Sequence, residues 1–204
     1  MLAYIKGTLE IKMTDYVVID VGGLGYKVFM SSIAMERLGN IGDKVKVYTY
    51  YRVREDDISI FGFNSNEELR MFELLLSVSG VGAKTALTML AVCTPSEFAL
   101  AVISDDTAML TRIPGIGVKS AKRIILELKD KIKKEESITD SEEKDLKIQE
   151  AVISNNSIQE AVSALQVLGY NRREIDKAFG KIADKKELTT EELIKKGLNI
   201  LSGE

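Results

Sequence analysis

Apolar and polar residues alternate along much of the first 63 positions, as they do in strands with one buried face. This alternation, together with the β-branched residues, predicts strands at 2–5, 16–21, 25–30, 44–50 and 58–63, with a hairpin or bulge at Gly22 and Gly23. Residues 32–38 favour one short helix. Five or six short strands with a single helix between them predict a small Greek-key barrel of the OB type over residues 1–63.

After residue 63 the apolar positions recur at intervals of three and four residues, which is the period of an amphipathic helix. This pattern predicts helices at 67–77, 83–92, 95–103, 106–110 and 119–133. Thr94, Pro95 and Glu97 occur in the order of an N-cap, a first helical residue and a capping-box acid. Residues 64–134 are therefore predicted to form an all-α domain.

A polar and charged stretch without periodicity follows, and it predicts a flexible linker at 135–156. Helical patterns return at 157–168, 172–183 and 190–201, with Ser157 and Thr190 as expected caps and Gly169 as the expected end of the first helix. They predict a three-helix bundle at 157–204, similar to ubiquitin-associated domains. A tethered bundle usually binds another protein, and a stabilising appendage is the alternative. The expected fold class is α+β with several domains.

The central domain contains two near-copies of one short pattern, Gly-Val-Gly-Ala-Lys-Thr at 80–85 and Gly-Ile-Gly-Val-Lys-Ser at 115–120. Glycine permits a tight turn and a close backbone approach to a ligand. The helix start after each turn offers free N–H groups and a positive dipole end. Each copy therefore predicts a clamp for a DNA phosphate that reads no base, and the domain is predicted to be a tandem helix–hairpin–helix. The residues predicted to contact DNA are Gly80, Val81, Gly82, Lys84, Thr85, Gly115, Ile116, Gly117, Lys119, Ser120, Arg123 and, outside the two copies, Arg54.

Two better-known phosphate-binding motifs do not match these glycines. A P-loop requires Gly at positions 78 and 83, or at 113 and 118, and none of the four is glycine. A dinucleotide-binding fingerprint requires a third Gly where the chain has Thr85 or Ser120, and it also requires a preceding strand. Two plain glycine turns in a helical domain are the remaining structural alternative.

Composition narrows the function classes further. The formal net charge is −3, but residues 64–134 carry ten Lys or Arg against eight Asp or Glu, and residues 135–204 carry ten against fifteen. Phosphate binding depends on such local charge rather than on the whole chain. The sequence has no His and a single cysteine, Cys93, which argues against an internal disulfide, a zinc site or a catalytic triad. A reducing, cytoplasmic location is expected, without a signal peptide or a membrane span.

A short acidic run, 55–57, follows Arg52 and Arg54 at the tip of the hairpin predicted between the last two strands. Three acids at such a tip are usually a solvated turn. If the protein binds DNA, Glu55 and Asp56 would repel phosphates and could hold two strands apart, while the neighbouring arginines hold the backbone.

Several segments occur in an order that is specific as a set although each is weak alone. They are Val-Gly-Gly-Leu-Gly-Tyr at 21–26, Val-Arg-Glu-Asp at 53–56, Phe-Gly-Phe at 61–63, the two Gly-x-Gly turns, and Ala-Leu-x-x-Leu-Gly-Tyr at 164–170. With these segments the chain resembles, along its whole length, the RuvA family of Holliday-junction-binding subunits.

The resemblance implies an assembly and a set of partners. RuvA proteins are fourfold-symmetric tetramers, with an octamer as a further state on DNA, and they hold a four-way junction open in a square-planar form. Their C-terminal domain binds the hexameric ATPase RuvB, which moves the DNA, and the RuvC resolvase is a further expected partner. The chain itself is expected to be non-catalytic and without cofactor or metal, because ATP and magnesium are used by the motor.

The resemblance also implies roles for particular residues. Glu55 and Asp56 match the acidic pin that separates strands at the crossover, whereas the role of Asp57 stays open. The residues matched to the motor contact in the C-terminal domain are Leu165, Leu168, Tyr170 and Leu198.

An alternative function of a different class remains open from the sequence. A structure-specific nuclease or glycosylase could use the same helix–hairpin–helix clamps, but it would need carboxylates that hold a metal, or a Lys or Asp placed for attack. Glu55 and Asp56 form the one tight acidic cluster outside the linker and the helix faces, and the flanking arginines disfavour a metal there.

Overall fold

The structure is a computed structural model, and it describes residues 2–139, 156–183, 185 and 188–202. Its N-terminal part is a closed five-stranded barrel, with strand order β1-β2-β3-β5-β4. Neighbouring strands are antiparallel except β3 and β5, which are parallel at the pair Phe29 and Phe61. The elements are β1 Tyr4–Lys12, β2 Tyr16–Val21, β3 Leu24–Phe29, α1 Ser32–Arg37, β4 Lys44–Val53 and β5 Ile58–Phe63. The predicted OB-type barrel is confirmed.

Strand β1 is longer than the predicted strand at 2–5. Its inner face is held by Ile5 and Leu9, both buried, while most of the intervening residues are polar. A register shift between Leu9 and Ile11 interrupts the pairing with β2. Apolar residues or glycine occupy every second position from Ile5 to Ile11, so the period-two signal was present, and the prediction ended the strand too early, before Gly7.

The remaining helices begin and end close to the predicted positions. They are α2 Asn66–Leu76, α3 Ala83–Leu90, α4 Pro95–Ile103, α5 Thr107–Thr111, α6 Val118–Thr139, α7 Asn156–Val167, α8 Arg172–Phe179 and α9 Thr190–Ser202. Thr94 and Glu97 form the predicted capping box at the start of α4, with Pro95 as the first helical residue. Among the described residues, no single helix has the length and apolar composition needed to cross a membrane.

Four predicted boundaries need correction. Helix α8 ends at Phe179, with Gly180 as its C-cap, whereas the sequence pattern predicted it to continue to residue 183. Helix α6 continues to Thr139, so the first five positions of the predicted linker, 135–139, are helical. Positions 135 and 136 are both Glu, a good helix former even without an apolar face. Positions 140–155 of the linker lie outside the described residues. Helix α7 already includes the predicted cap Ser157, and α9 is capped by Thr189 rather than Thr190, because Thr189 Oγ1 accepts the Glu192 N–H.

The chain forms two compact units. One contains Met1–Ser77 and Val81–Cys93 and is called here the barrel unit; the other contains Val78–Gly80 and Thr94–Glu204 and is called the helical unit. The contact pattern thus places α2 and α3 with the barrel, whereas sequence patterning placed them in a separate domain at 64–134. The predicted domain boundaries remain a prediction about independently folding parts.

Aromatic packing joins α2 to the barrel within the barrel unit. Phe72 of α2 is fully buried, and its ring centroid lies 4.9 Å from Phe63, 5.2 Å from Phe61 and 5.4 Å from Tyr50. Such offset aromatic pairs stabilise a core beyond the area they bury. A separate aliphatic core fills the barrel, and α1 contributes Ala34 and Met35 to it.

In the helical unit, α7 and α9 of the C-terminal bundle pack against α4, and α7 also packs against α6. This packing also brings opposite charges together, because Lys195 of α9 and Glu97 of α4 are close enough to stabilise each other's charged forms. Within the bundle, Gly197 of α9 comes so close to α7 and α8 that an added Cβ would lie 2.9 Å from Leu165 and Phe179.

Candidate nucleic-acid interface

The two Gly-x-Gly turns have the same backbone conformation at their first glycine. Gly80 and Gly115 both have a φ of 85°, in the left-handed region that L side chains rarely adopt. The sequence repeat therefore corresponds to a repeat in three dimensions. The first glycine of each copy is explained by conformation alone and needs no ligand.

The second glycine of each copy has a different explanation. Gly82 has φ −93° and ψ 170°, a conformation open to any residue, and Gly117 is not among the glycines with positive φ. An added Cβ at either position would meet no protein atom within 4 Å. Neither strain nor crowding within the protein requires glycine here. Open space over the backbone at a helix start is what a close-approaching phosphate requires.

Each second glycine also begins a helix in the same way. The first α-helical backbone bond runs from Ala86 N–H to the Gly82 carbonyl in one copy and from Ala121 N–H to the Gly117 carbonyl in the other, both at 2.9 Å. Gly82 is the N-cap of α3 and provides no side-chain acceptor. The N–H groups of the first turn are therefore available to an anion.

The flanking residues divide into exposed and buried positions. Lys84, Lys119 and Ser120 are exposed, and Thr85 is half-buried. Ile116, which was predicted to contact DNA, is buried and its N–H donates to the Ile113 carbonyl at 3.0 Å. The structure thus makes Ile116 an anchor of the hairpin and leaves neither its side chain nor its N–H for a phosphate.

Arg123 reaches the first turn from α6, within the helical unit. A Cβ added to Gly80 would lie 3.8 Å from Arg123 Nη1, so the guanidinium lies over that glycine. Glu127 forms an ion pair with Arg123, with 3.9 Å between Arg123 Nε and Glu127 Oε1. The Glu127 carboxylate also accepts a hydrogen bond from the Ser79 N–H at 3.0 Å. Sequence reasoning missed Glu127. Its spacing of four residues from Arg123 is the signal that could have found it.

The acidic hairpin is a tight turn between β4 and β5. Arg54 N–H donates to the Asp57 carbonyl at 2.8 Å, which closes the turn. Glu55 and Asp56 are both exposed at its tip, and Arg54 is exposed beside them. The geometry thus presents the two predicted pin acids to solvent.

Asp57 differs from the two acids before it. Its Oδ2 accepts hydrogen bonds from Ser59 Oγ at 2.5 Å and from Arg52 Nη2 at 2.8 Å. These two bonds, that from Ser59 first, lower the pKa of the Asp57 carboxyl. Asp57 is therefore tied to the strands at the base of the hairpin, and it does not extend the free acidic tip.

Comparisons with known proteins cover all of the chain except short stretches. The model described as "RuvA N terminal domain" matches residues 1–62, "SAM-like Helix-hairpin-helix tandem" matches 72–130, and "RuvA, C-terminal domain" matches 156–202. A protein of Ruminiclostridium cellulolyticum named "Holliday junction branch migration complex subunit RuvA" is 47% identical, over 98% of this chain and 100% of its own length. The chain belongs to the RuvA family. Two further relatives with that name, from Acetivibrio thermocellus and Clostridium perfringens, are 47% and 42% identical over 99% and 98% of this chain and 99% of their own lengths.

The four C-terminal residues that the family resemblance matches to a motor contact do not lie on the surface. Leu165, Leu168, Tyr170 and Leu198 are all buried, with at most 7% of any of them exposed. In this structure they form packing contacts of the helical unit. They remain a prediction as partner contacts, and a partner could reach them only where the helices around them separate.

Proposed function

We propose that this RuvA-family chain is the junction-binding subunit of a branch migration complex that acts in homologous recombination and DNA repair in the cytoplasm. One observation carries the proposal. Two turns with identical φ at the first glycine each start a helix beneath open space, on the same chain as a hairpin with two exposed acids. The name shared by the relatives supports the same reading.

The two turns would hold DNA through its backbone. Phosphate oxygens accept from the first-turn N–H groups of α3 and α6, and Lys84 and Lys119 supply charge beside them. Backbone N–H groups and lysines do not distinguish base edges. The expected binding is therefore independent of sequence and falls steeply with salt.

The acids at the hairpin tip would act by repulsion. Glu55 and Asp56 carry negative charge where a phosphate backbone would otherwise pass, so DNA strands are deflected to either side of the tip. Arg54, beside the acids, can pair with the deflected backbone. A tip of this kind favours a site where strands already part, as they do at a crossover.

Preference for a junction over a plain duplex needs several such clamps around one centre. A homotetramer with fourfold symmetry would provide one pair of clamps for each arm, and a second tetramer on the opposite face would form an octamer. Each Gly-x-Gly turn alone grips any duplex arm, so the symmetry of the assembly provides the discrimination.

The chain would serve the complex without catalysing a reaction. The ATPase RuvB would be the motor that binds the C-terminal bundle and uses ATP and magnesium, and RuvC would be a further partner at the junction. In purified components, the full chain is expected to raise the ATPase rate of RuvB on junction DNA. An unchanged rate would remove RuvB as the partner.

The nuclease or glycosylase alternative is not favoured. In the described part of the chain, no group of three or more His, Cys, Asp or Glu is placed to hold a metal ion. The relatives are named as branch migration subunits. Incubating the chain with a labelled four-way junction and Mg²⁺ or Mn²⁺ tests this directly. The junction should remain uncut, and turnover would contradict the scaffold proposal.

Junction selectivity can be tested in a competition assay. A labelled four-way junction bound by the chain is challenged with unlabelled junction or with unlabelled duplex of the same arm sequence. Unlabelled junction should displace the label at much lower concentration than duplex does. Equal competition by the two DNAs would reject the proposed function.

A further inference from the structure

A cleft of about 570 Å³ opens in the barrel unit between α3 and the barrel wall. It is lined by Lys84 and Leu87 of α3, by Phe29 and Phe61 of β3 and β5, and by Arg52 and Asp57 at the base of the acidic hairpin. The cleft thus connects the first clamp with the hairpin, and neither the clamp nor the acidic tip accounts for it. Its volume is within the range of about 300–1,000 Å³ typical of pockets for small ligands.

The wall of the cleft is aromatic. Phe29 is half-buried, and its ring lies 5.9 Å from Phe61 at an interplanar angle of 35°. Leu87 on α3 faces the same space. The two rings are inclined to each other, and Lys27 Nζ lies 4.8 Å from the centre of the Phe29 ring. The wall therefore offers a nucleobase an aromatic contact with a cation beside it.

Cations and unused donors surround the aromatic wall. The Arg52 guanidinium lies 5.3 Å from the Phe61 ring centre. Its Nε is buried and, among the described residues, is the one buried side-chain polar atom without a hydrogen-bond partner. Lys84 is exposed at the α3 side. Because Arg52 and Lys84 both line the cleft, a base carbonyl or a phosphate oxygen that entered it would lie close to positive charge.

The carboxylates of the cleft do not exclude such a ligand. Asp57 is held by Arg52 and Ser59, so its charge is largely compensated. Asp15 is exposed, and a carboxylate there can accept from the amino group of a neutral base. A ligand with a neutral flat ring and one phosphate therefore fits the charges better than a wholly anionic one.

We propose that the cleft binds one unpaired nucleotide of the strand that the acidic hairpin deflects, with its base against Phe29 and its phosphate at Lys84. This inference rests on the proposed function, because it assumes a junction whose strands part at the hairpin. The cleft then gives the separated base an apolar contact in place of the lost stack. The acids repel the phosphate backbone, and the cleft binds the nucleotide that is left unpaired.

The test is a photocrosslink on the full chain. A four-way junction carries 5-iodouracil, which crosslinks to aromatic side chains that it touches, either at the branch point or far out in one arm. Ala91→Trp fills the cleft from α3, because Ala91 lines it. Val92→Trp is the matched control, since Val92 is the next residue, is exposed and does not line the cleft. Phe29→Leu keeps an apolar wall but removes the ring.

The expected result is a crosslink from the branch-point base to the peptide with Phe29, and none from the arm position. Ala91→Trp and Phe29→Leu should lower its yield about tenfold, as the loss of one base–aromatic stack implies, while Val92→Trp should not. Val92→Trp should leave junction affinity close to that of the wild type, whereas Ala91→Trp and Phe29→Leu should weaken junction binding by at most the factor by which they lower the crosslink yield. If Ala91→Trp unfolds the chain in a thermal melt, Phe29→Leu still decides the question.

Three results would overturn the proposal. The first is a wild-type chain that binds the junction without a branch-point crosslink. The second is a crosslink that persists in folded Ala91→Trp and in Phe29→Leu. The third is a change of native mass in Ala91→Trp, which would make the cleft a contact for a second copy of the chain. A wild-type chain that does not bind the junction at all would instead reject the proposed function.

Discussion

The two Gly-x-Gly turns share a backbone and differ in the helix that follows. Gly80 and Gly115 have the same φ, and Gly82 and Gly117 both lie beneath open space. Helix α3 is eight residues long and carries one cation, Lys84, whereas α6 is 22 residues long and exposes Lys119, Lys122 and Arg123 near its start. The shared feature is the backbone geometry, and the unequal feature is the charge.

The unequal number of cations on α3 and α6 predicts different contributions of the two turns to DNA binding. The α6 turn has the charge to hold a duplex arm, because affinity for phosphates follows the number of neutralising cations. The α3 turn has less charge but lies beside the cleft and the base of the acidic hairpin. It is therefore expected to contribute more to the placement of the crossover than to affinity.

Charge reversal should separate the two turns most strongly. Lys119→Glu with Lys122→Glu should weaken junction binding by about 100-fold and reduce the slope of log affinity against log salt by about 2, whereas Lys84→Glu should give about tenfold and a slope change of about 1. Fluorescence anisotropy over a series of salt concentrations measures both quantities. Equal losses from the two helices would contradict the proposed division.

Serine at the second glycine should separate binding from stability. Ser is a better N-cap than Gly by a few tenths of a kcal/mol, and the space above Gly82 and Gly117 is open. Gly82→Ser and Gly117→Ser should therefore melt at or above the wild-type temperature but bind junctions about tenfold more weakly, since the hydroxyl competes with the phosphate for the same N–H groups.

The matched control for the serine variants is the first glycine. Gly115→Ala forces a side chain into a φ of 85° and should cost about 1–2 kcal/mol of stability. If Gly117→Ser lost stability as Gly115→Ala does, the second glycine would be structural and the phosphate assignment would be wrong.

Reversing the acids should change strand separation more than affinity. Glu55→Lys with Asp56→Lys removes the repulsion between the exposed tip and phosphates, so junction affinity should be unchanged or slightly higher. Unpaired bases at the branch point, measured by permanganate reactivity, should decrease. Collapse of binding would mean that the acids are structural.

The sequence predicted secondary structure well where a local property of the chain determines it. Alternation gave the barrel, and the order of Thr94, Pro95 and Glu97 gave the start of α4. It predicted less where tertiary packing decides. Leu165 and Tyr170 were predicted as partner contacts, which stays a prediction, and the structure shows both to be buried. Hydrophobic pattern alone does not distinguish a side chain buried by a partner from one buried by the same chain.

The site showed the same limit at single residues. The glycine turns, Lys84 and Lys119 were predicted from spacing, because backbone strain and helix starts are local properties. Glu127 was missed, since its hydrogen bond to Ser79 joins residues 48 positions apart. The cleft was also missed, because its lining residues come from distant parts of the chain.

The smallest expected effect concerns Asp57, the acid tied to the strands. Its pKa is lowered in the folded state, so its bonds to Ser59 and Arg52 stabilise the base of the hairpin above the unfolded pKa of about 3.9 and are lost as pH falls through the lower folded pKa. An NMR titration of the carboxyl should give a midpoint below that value. Ser59→Ala should raise the midpoint, and a midpoint at the ordinary value in the wild type would contradict the assignment.

The central claim is that several copies of the chain hold one four-way junction without cutting it. Native mass spectrometry of the chain with and without a synthetic junction tests it most directly. The predicted result is a complex of one intact junction with four protomers, or with eight if both faces are covered, and no such complex with the variant Lys119→Glu, Lys122→Glu. A single protomer on the junction, or a junction recovered in pieces, would contradict the claim.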